Sequence, residues 1–243
     1  MAEELKKRLT ELAGRAAERG YYIYTDFLSP TGIAVAEGLR LPVPITAFGG
    51  AEFCERRIIR FGDFGYEEEF PLRIIKISPA SERFFKAVTH RDYLGALMSL
   101  GIERDRMGDI LIDGKTAYAV VAEALAEYVI INLTGVGGNT VRCEIVSSIP
   151  QSLEPKAEEI TASVASLRLD AILCRVLNLP RDGGAQLIRD GYVFVSGRQE
   201  ESASYVPKEN EIITVRGYGK LCFCGIKGTS AKGRLQITVK KYK

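Results

Sequence analysis

The chain has 243 residues, 46% hydrophobic and 26% charged, a balance that excludes a disordered or collagen-like polypeptide and leaves room for two or three small domains. No apolar run approaches the ~18–20 residues of a membrane span; the most apolar stretch, 117–133, is interrupted by Glu123, Glu127 and Asn132. The net charge is only +2, which excludes a uniformly basic or acidic chain and makes the distribution of charge the informative quantity.

The opening MAEELKKRLTEL is charged and helical, unlike a signal peptide, so a cytoplasmic location with no membrane contact is expected. Residues 2–18 are predicted to form an amphipathic helix, with Leu5, Leu9, Leu12, Ala13 and Ala16 at helical spacing. The aromatic stretch 21–28 is expected to be strand. Ser29-Pro30 is a helix start, a cap followed by proline at the first helical position, and that helix should reach about residue 39. Residues 43–48 are expected to be a strand that Gly49-Gly50 breaks. Residues 1–70 are thus expected to form a small mixed α/β domain.

The next segment has a clearer rhythm. It comprises strand 72–77, helix 90–100 closed by Gly101, and strand 109–112. A hairpin turn at Asp113-Gly114, strand 116–121, helix 122–133 and strand 141–146 follow. The order β-α-β-β-α-β predicts a ferredoxin-like split sheet over 71–150. The polar, proline-bearing 147–155 (SSIPQSLEP) is the expected domain boundary, with linker and helix over 151–166. The last domain, 167–243, opens with a short helix whose apolar face is Leu169, Ile172, Leu173, Val176 and Leu177. A second helix covers about 181–190, and Gly191 ends it. YVFVSGR begins a strand and tight turn, 211–216 is a strand, 217–220 a loop, and 221–226 with 234–240 a terminal hairpin. The predicted fold class is therefore α+β.

Charge is segregated along this order. Residues 1–75 carry 10 basic and 12 acidic side chains, and 76–152 carry 8 and 9. Residues 153–243 carry 15 and 10, and from Arg168 onward the balance is 14 to 7. Such asymmetry suggests a polyanion-binding module attached to a near-neutral body.

Several motifs invite catalytic readings that the spacing does not support. His90-Arg91-Asp92 and Asp63-Phe64-Gly65 resemble kinase triplets. A kinase needs Asn five residues after the first aspartate, where this chain has Leu97, and the triplets come in the wrong order. The glycine-rich 135–139 follows a helix instead of opening one, so it is expected to be a turn. His90 is the sole histidine, and capping by Thr89 with His90 and Asp92 in the first turn accounts for it. The five cysteines contain no C-x-x-C, so reduced thiols are expected and zinc is not. Cys222 and Cys224 alternate along a strand and are expected to be buried neighbours. Asp109 and Asp113 flank a strand, where turn and capping roles are the common use. No catalytic residue, metal or cofactor is expected.

The informative stretch is 168–215. Basic residues fall at its helix starts and turns: Arg168, Arg175, Arg181, Arg189 and Arg198. Arg168 and Arg175 are seven apart and so share one side. A compact helix pair can lay guanidinium groups along a phosphate backbone, and helix N-termini would add backbone donors. Gln186 lies between them, and Arg216, Lys220, Lys232 and Arg234 complete the candidate RNA-binding set. His90, Arg91, Arg104 and Arg106 form a candidate secondary surface.

This stretch resembles the S-four RNA-binding domain, named for small-subunit ribosomal protein four. The resemblance rests on Arg168-Leu169-Asp170, Arg181, Leu187-Ile188 followed by Gly191, and Val193-x-Val195-Ser196-Gly197. Pro180 stands where that family usually has serine, Gly183-Gly184 where better helix formers are usual, and Ser196 where asparagine is usual. Upstream, Phe27-Leu28-Ser29-Pro30, Gly49-Gly50-Ala51-Glu52, Arg56-Arg57 and the block HRDYLGALMSLGIERDRMGDILI (90–112) resemble the YlmH-like family. So do Arg216-Gly217-Tyr218-Gly219-Lys220 and Lys232-Gly233-Arg234.

The resemblance implies an N-terminal domain, an RRM-like middle domain and a C-terminal S-four domain in a non-enzymatic, ribosome-associated bacterial protein. It implies ribosomal RNA, the large ribosomal subunit and tRNA or peptidyl-tRNA as partners, in rescue of stalled translation, with a protein partner available to residues 1–150. From the residues themselves, the first strand of the middle domain offers Ile74, Ile75 and Ile77 and the third only Tyr118, so base stacking of the usual RRM kind is not expected. Two alternatives stand beside this reading. One is an RNA-modifying enzyme such as a pseudouridine synthase or methyltransferase, although no glycine-rich strand-to-helix turn serves a methyl donor. The other is a protein-interaction factor linked to cell division.

Overall fold

The computed structural model describes residues 2–83, 85–230 and 233–242, and the chain divides into two units, Met1–Glu154 and Pro155–Lys243. The first unit begins with α1 (Ala2–Arg19), followed by β1 (Ile23–Tyr24), α2 (Pro30–Glu37), β2 (Ile45–Phe48) and β3 (Ile58–Phe61). The three strands form an antiparallel sheet in the order β1-β3-β2. Leu9, Ala13 and Ala16, at the predicted helical spacing, pack with Ile59 and Phe61. Ser29 caps α2 by accepting the Gly32 N–H at 3.3 Å, with Pro30 first in the helix.

The expected strand over 21–28 is only two residues long. Beyond Tyr24 the regular ladder is interrupted where the Phe27 N–H is donated to the Asp105 carbonyl at 2.8 Å, and Leu28 returns as a single antiparallel bridge to Arg57. The central strand β3 has no counterpart among the strands expected from the sequence. Ile58 is buried in one cluster and Ile59 with Phe61 in another, so the strand lacks the polar alternation that marks a one-sided strand.

β4 (Leu72–Pro79), α3 (His90–Ser99), β5 (Met107–Asp113), β6 (Thr116–Ala122), α4 (Ala126–Asn132), β7 (Gly135–Val136) and β8 (Asn139–Val146) complete this unit. Their sheet order is β5-β6-β4-β8-β7, every neighbour antiparallel. Apart from the short edge strand β7, this is the predicted ferredoxin-like order. The 135–139 segment is a turn through Gly137 and Gly138, at φ +55° and +78°. Ile75, Ile77, Ala119 and Val121 face the two helices, meeting Tyr93, Leu97 and Val129. α3 is capped as expected: the Asp92 carboxylate accepts from the Thr89 N–H at 2.7 Å and the Thr89 hydroxyl at 2.8 Å.

The second unit contains β9 (Ala157–Val164), α5 (Leu169–Val176), α6 (Gly183–Arg189), β10 (Val193–Val195), β11 (Arg198–Gln199), β12 (Glu211–Val215), β13 (Gly219–Thr229) and β14 (Leu235–Tyr242). Its six strands run β11-β10-β12-β13-β14-β9. The expected linker and helix over 151–166 is therefore corrected to a 3-10 turn, Gln151–Leu153, and strand β9. An eight-residue ladder with β14 overrides local propensity: Ala162 and Val164 enter the core, while Glu158 and Glu159 pair across with Lys241 and Lys240.

Valines and isoleucines at alternate positions of β10, β12 and β14 project onto one face of this sheet. There they pack with Leu169, Ile172, Leu173 and Val176 of α5 and Ile188 of α6. Ser196 and Gly197, at φ +46° and +76°, make the tight turn between β10 and β11. Among the described residues, no helix is long and apolar enough to cross a membrane.

Candidate nucleic-acid interface

The helix pair α5–α6 is held at close range by Gly184 and Cys174. The Gly184 N–H points to Cys174 Sγ at 3.2 Å, and that thiol lies 3.2 and 3.3 Å from the carbonyls of Pro180 and Arg181. A Cβ on Gly184 would sit 2.3 Å from the Asp170 carbonyl oxygen, so only glycine lets the two backbones approach this closely. Gly184, which looked like a poor helix former, thus sets how closely α6 approaches α5, the helix that carries Arg175 in its last turn.

Arg168, Arg175, Arg181 and Arg189 are all exposed. Arg168 is engaged locally: its guanidinium makes a two-pronged contact with Asp170 at 3.1 and 2.8 Å. That hydrogen bond holds the Asp170 carboxyl below its usual range. Arg189 donates to Gln186 Oε1 at 2.7 Å, and Gln186 in turn donates to Asp190 at 2.7 Å, so Gln186 orients the arginine.

The backbone donors expected at the helix starts are already engaged. The N–H groups of Leu169 and Asp170 are donated to the carbonyls of Tyr205 and Ala203, and the Gly183 N–H to that of Pro180. The chemistry available on this face is therefore that of side-chain guanidinium groups: phosphate contacts without base specificity.

The remaining candidates of this unit lie elsewhere. Arg198 is exposed at the tight turn. Arg216 and Lys220 belong to the side of the sheet away from the helices, where the Arg216 guanidinium covers the Phe194 ring at 4.7 Å. Arg234 is exposed just before β14, its N–H donated to Ser230 Oγ at 3.1 Å. Lys232 lies outside the described residues. Of the two cysteines expected to be buried neighbours, Cys222 is buried and Cys224 half-buried, and burial pushes the Cys222 thiol up to about 11.

In the first unit, His90 and Arg91 are exposed at the start of α3, but Arg104 and Arg106 serve the architecture. Arg104 donates to the carbonyls of Met107 and Gly108 at 2.8 and 2.9 Å. Arg106 pairs with Asp26 at 2.8 Å, and Arg8 reaches the same carboxylate at 2.7 Å. Sequence reasoning gave Arg56 no such role, yet it ties distant segments together by donating to the carbonyls of Phe27, Arg104 and Met107. The Asp109 carboxylate accepts from the N–H groups of Glu55 and Arg56. Burial raises its pKa against those bonds. These residues form a clasp that needs ordered carbonyls at three separate positions, and no local spacing reveals it.

Part of the sheet face that an RNA-reading RRM would present is filled from within the same unit. Leu72, Ile74, Tyr118 and Val120 pack against Phe27, Cys54, Ile58 and Ile149. A Cβ on Gly108 would lie 2.8 Å from the Phe27 ring, and one on Gly50 would lie 3.1 Å from Val120. Bases have no access to this part of the face, which agrees with the weak aromatic content of its strands, while Arg142 and Glu144 at the other end of the same face stay exposed.

The class to which the family comparison points is an RNA-binding one. Residues 66–149 match a family model described as the putative RNA-binding domain in YlmH. More particularly, the chain is 29% identical over 225 residues to the "Ribosome-associated protein quality control protein P2" of Bacillus subtilis (strain 168), covering 90% of this chain and 87% of that protein. A solved structure titled "Cell division protein ylmH from Streptococcus pneumoniae" is also similar. It matches with a TM-score of 0.45 and 19% identity, over 59% of this chain and 90% of that one.

Proposed function

We propose that this chain is a non-catalytic, cytoplasmic RNA-binding factor that acts on the large ribosomal subunit bearing peptidyl-tRNA, in the rescue of stalled translation. Its C-terminal unit would be a phosphate-reading module of the S-four type. The observation that carries this reading is the separation of charge between the two units. The C-terminal unit has fifteen basic and nine acidic side chains, net +6, and the N-terminal unit eighteen and twenty-two, net −4. Within the segment that matches the RNA-binding family model the balance is nine to twelve. With the Tyr118 part of its sheet face filled, that segment favours a basic protein partner or local loop contacts over a long phosphate track.

The resemblance to the Bacillus subtilis protein over nearly the whole chain supports the ribosomal setting. The arginines of α5 and α6 would dock structured ribosomal RNA or tRNA by shape and phosphate contacts, while the N-terminal unit sets orientation. Co-sedimentation with separated ribosomal subunits across a salt series, with and without peptidyl-tRNA, tests the proposal. Large-subunit binding that weakens with salt and strengthens with peptidyl-tRNA is expected. Absence of subunit binding at low salt overturns it.

A further inference from the structure

We propose that the outward face of the C-terminal sheet is a second RNA surface, which takes unpaired nucleotides by stacking. This rests on the reading of the C-terminal unit as RNA-binding but concerns the side opposite the arginine helices. Strand pairing places Phe194 beside Thr214, Thr214 beside Lys220, and Lys220 beside Tyr242, a row that crosses four strands. Their sequence neighbours Val193, Val195, Ile213, Val215 and Leu221 lie in the core beneath α5 and α6, so alternation turns this row away from the helices.

Cations and rings interleave along the row. The Arg216 guanidinium lies 4.7 Å from the Phe194 centroid, and Lys220 Nζ lies 5.8 Å from that of Tyr242. Tyr192 and Tyr218, at the ends of the adjoining strands, are 43% and 40% exposed. In the next row Lys240 is exposed opposite Glu159, whose carboxylate meets Lys227 at 3.1 Å. Arg216, Lys220 and Lys240 therefore outnumber Glu159, the carboxylate that strand pairing places opposite Lys240.

The chemistry selects the ligand. A guanidinium lying on a ring keeps its outer face open for a base, and its N–H edge matches the phosphate beside it. Bases in a duplex are already stacked on each other and cannot use such a platform, whereas unpaired bases can, with little sequence preference. The two sides of the unit would thus divide the work: guanidinium groups of the helices on a stem, and the sheet on an unpaired flank.

The test measures anisotropy of two labelled RNAs with the full-length chain at fixed salt: an oligoadenylate of about ten nucleotides and a blunt-ended hairpin. Arg216→Ala/Lys220→Ala is expected to weaken oligoadenylate binding roughly tenfold or more and hairpin binding about twofold at most. Arg216→Lys keeps the charge, so it should hold the salt slope while lowering oligoadenylate affinity by about threefold or more. The inference is overturned if the parent chain does not bind oligoadenylate, if both variants bind it as the parent does, or if they weaken both RNAs equally. Arg175→Ala/Arg181→Ala serves the other reading. Unchanged hairpin affinity in that variant removes the helix face as the stem-binding site and leaves the sheet inference standing on the oligoadenylate result.

Discussion

Gly184→Ala probes the seam that sets the arginine geometry. The added Cβ would lie 2.3 Å from the Asp170 carbonyl oxygen and 3.0 Å from Cys174 Sγ. Carbon–oxygen contacts in proteins begin near about 3.3 Å, so the helices must part by roughly 1 Å. The oxygen belongs to the backbone of α5 and cannot rotate away. A gap of that size forfeits about a quarter to a half of the dispersion energy between facing side chains, here Leu169 and Leu173 against Ile188. Overpacking of this kind costs about 1–3 kcal/mol, and the helix-propensity gain of alanine returns at most about 1. A net loss of about 1–2 kcal/mol should lower the urea midpoint of the C-terminal unit by roughly 0.5–1 M, taking a urea slope of about 2 kcal/mol/M. Hairpin RNA affinity should fall with it, because Arg175 and Arg181 move apart.

Gly95→Ala is the matched control. Gly95 lies exposed in α3, with nothing packed within 4 Å of where the added methyl group would stand, and the substitution should stabilise the N-terminal unit by about 0.5–1 kcal/mol. Equal or greater stability of Gly184→Ala relative to the parent would refute the argument from close approach.

Arg181→Ala and Arg198→Ala should each reduce the slope of log affinity against log salt by about 1, read by anisotropy across a salt series; unchanged slopes would remove these residues from the phosphate contacts. Phe27→Ala should cost the N-terminal unit about 3–4 kcal/mol in denaturant unfolding, since Phe27 is 2% exposed against the sheet. Tyr118→Ala, on the same face, should also destabilise that unit without altering RNA affinity; a loss of RNA binding at full stability would make that face a binding site after all. Acidification should weaken the C-terminal unit through Asp170. Its folded pKa is lowered by Arg168, so its contribution is present above the unfolded value of about 3.9 and is lost as pH falls through the folded value. Asp170→Asn should flatten that acid limb in pH-dependent unfolding. Asp109, whose pKa burial raises, contributes in the opposite sense, its share being lost as pH rises through the folded value.

Local signals carried much of this structure into view. α1 and α5 follow from apolar periodicity, α2 and α3 from their caps, and the β5–β6 and β10–β11 hairpins from glycine-bearing turns. The ferredoxin-like order was legible because its strands and helices alternate with distinct periods. β3 and β9 were not. β3 is buried on both faces and shows no alternation, and β9 becomes a strand only because β14, some seventy residues later, offers it a ladder.

What the amino-acid sequence determined by itself is the local inventory: caps, turns, apolar stripes, and a C-terminal excess of positive charge. Those depend on neighbours a few residues away. Tertiary structure decided which arginines remain available. Arg56, Arg104 and Arg106 are chemically identical to Arg175 and Arg181, yet the first three hold the first unit together because carbonyls and a carboxylate from remote segments converge on them. It also decided that Arg216 and Arg181 serve opposite sides of one unit, since strand alternation and helix packing assign faces only once the core has closed.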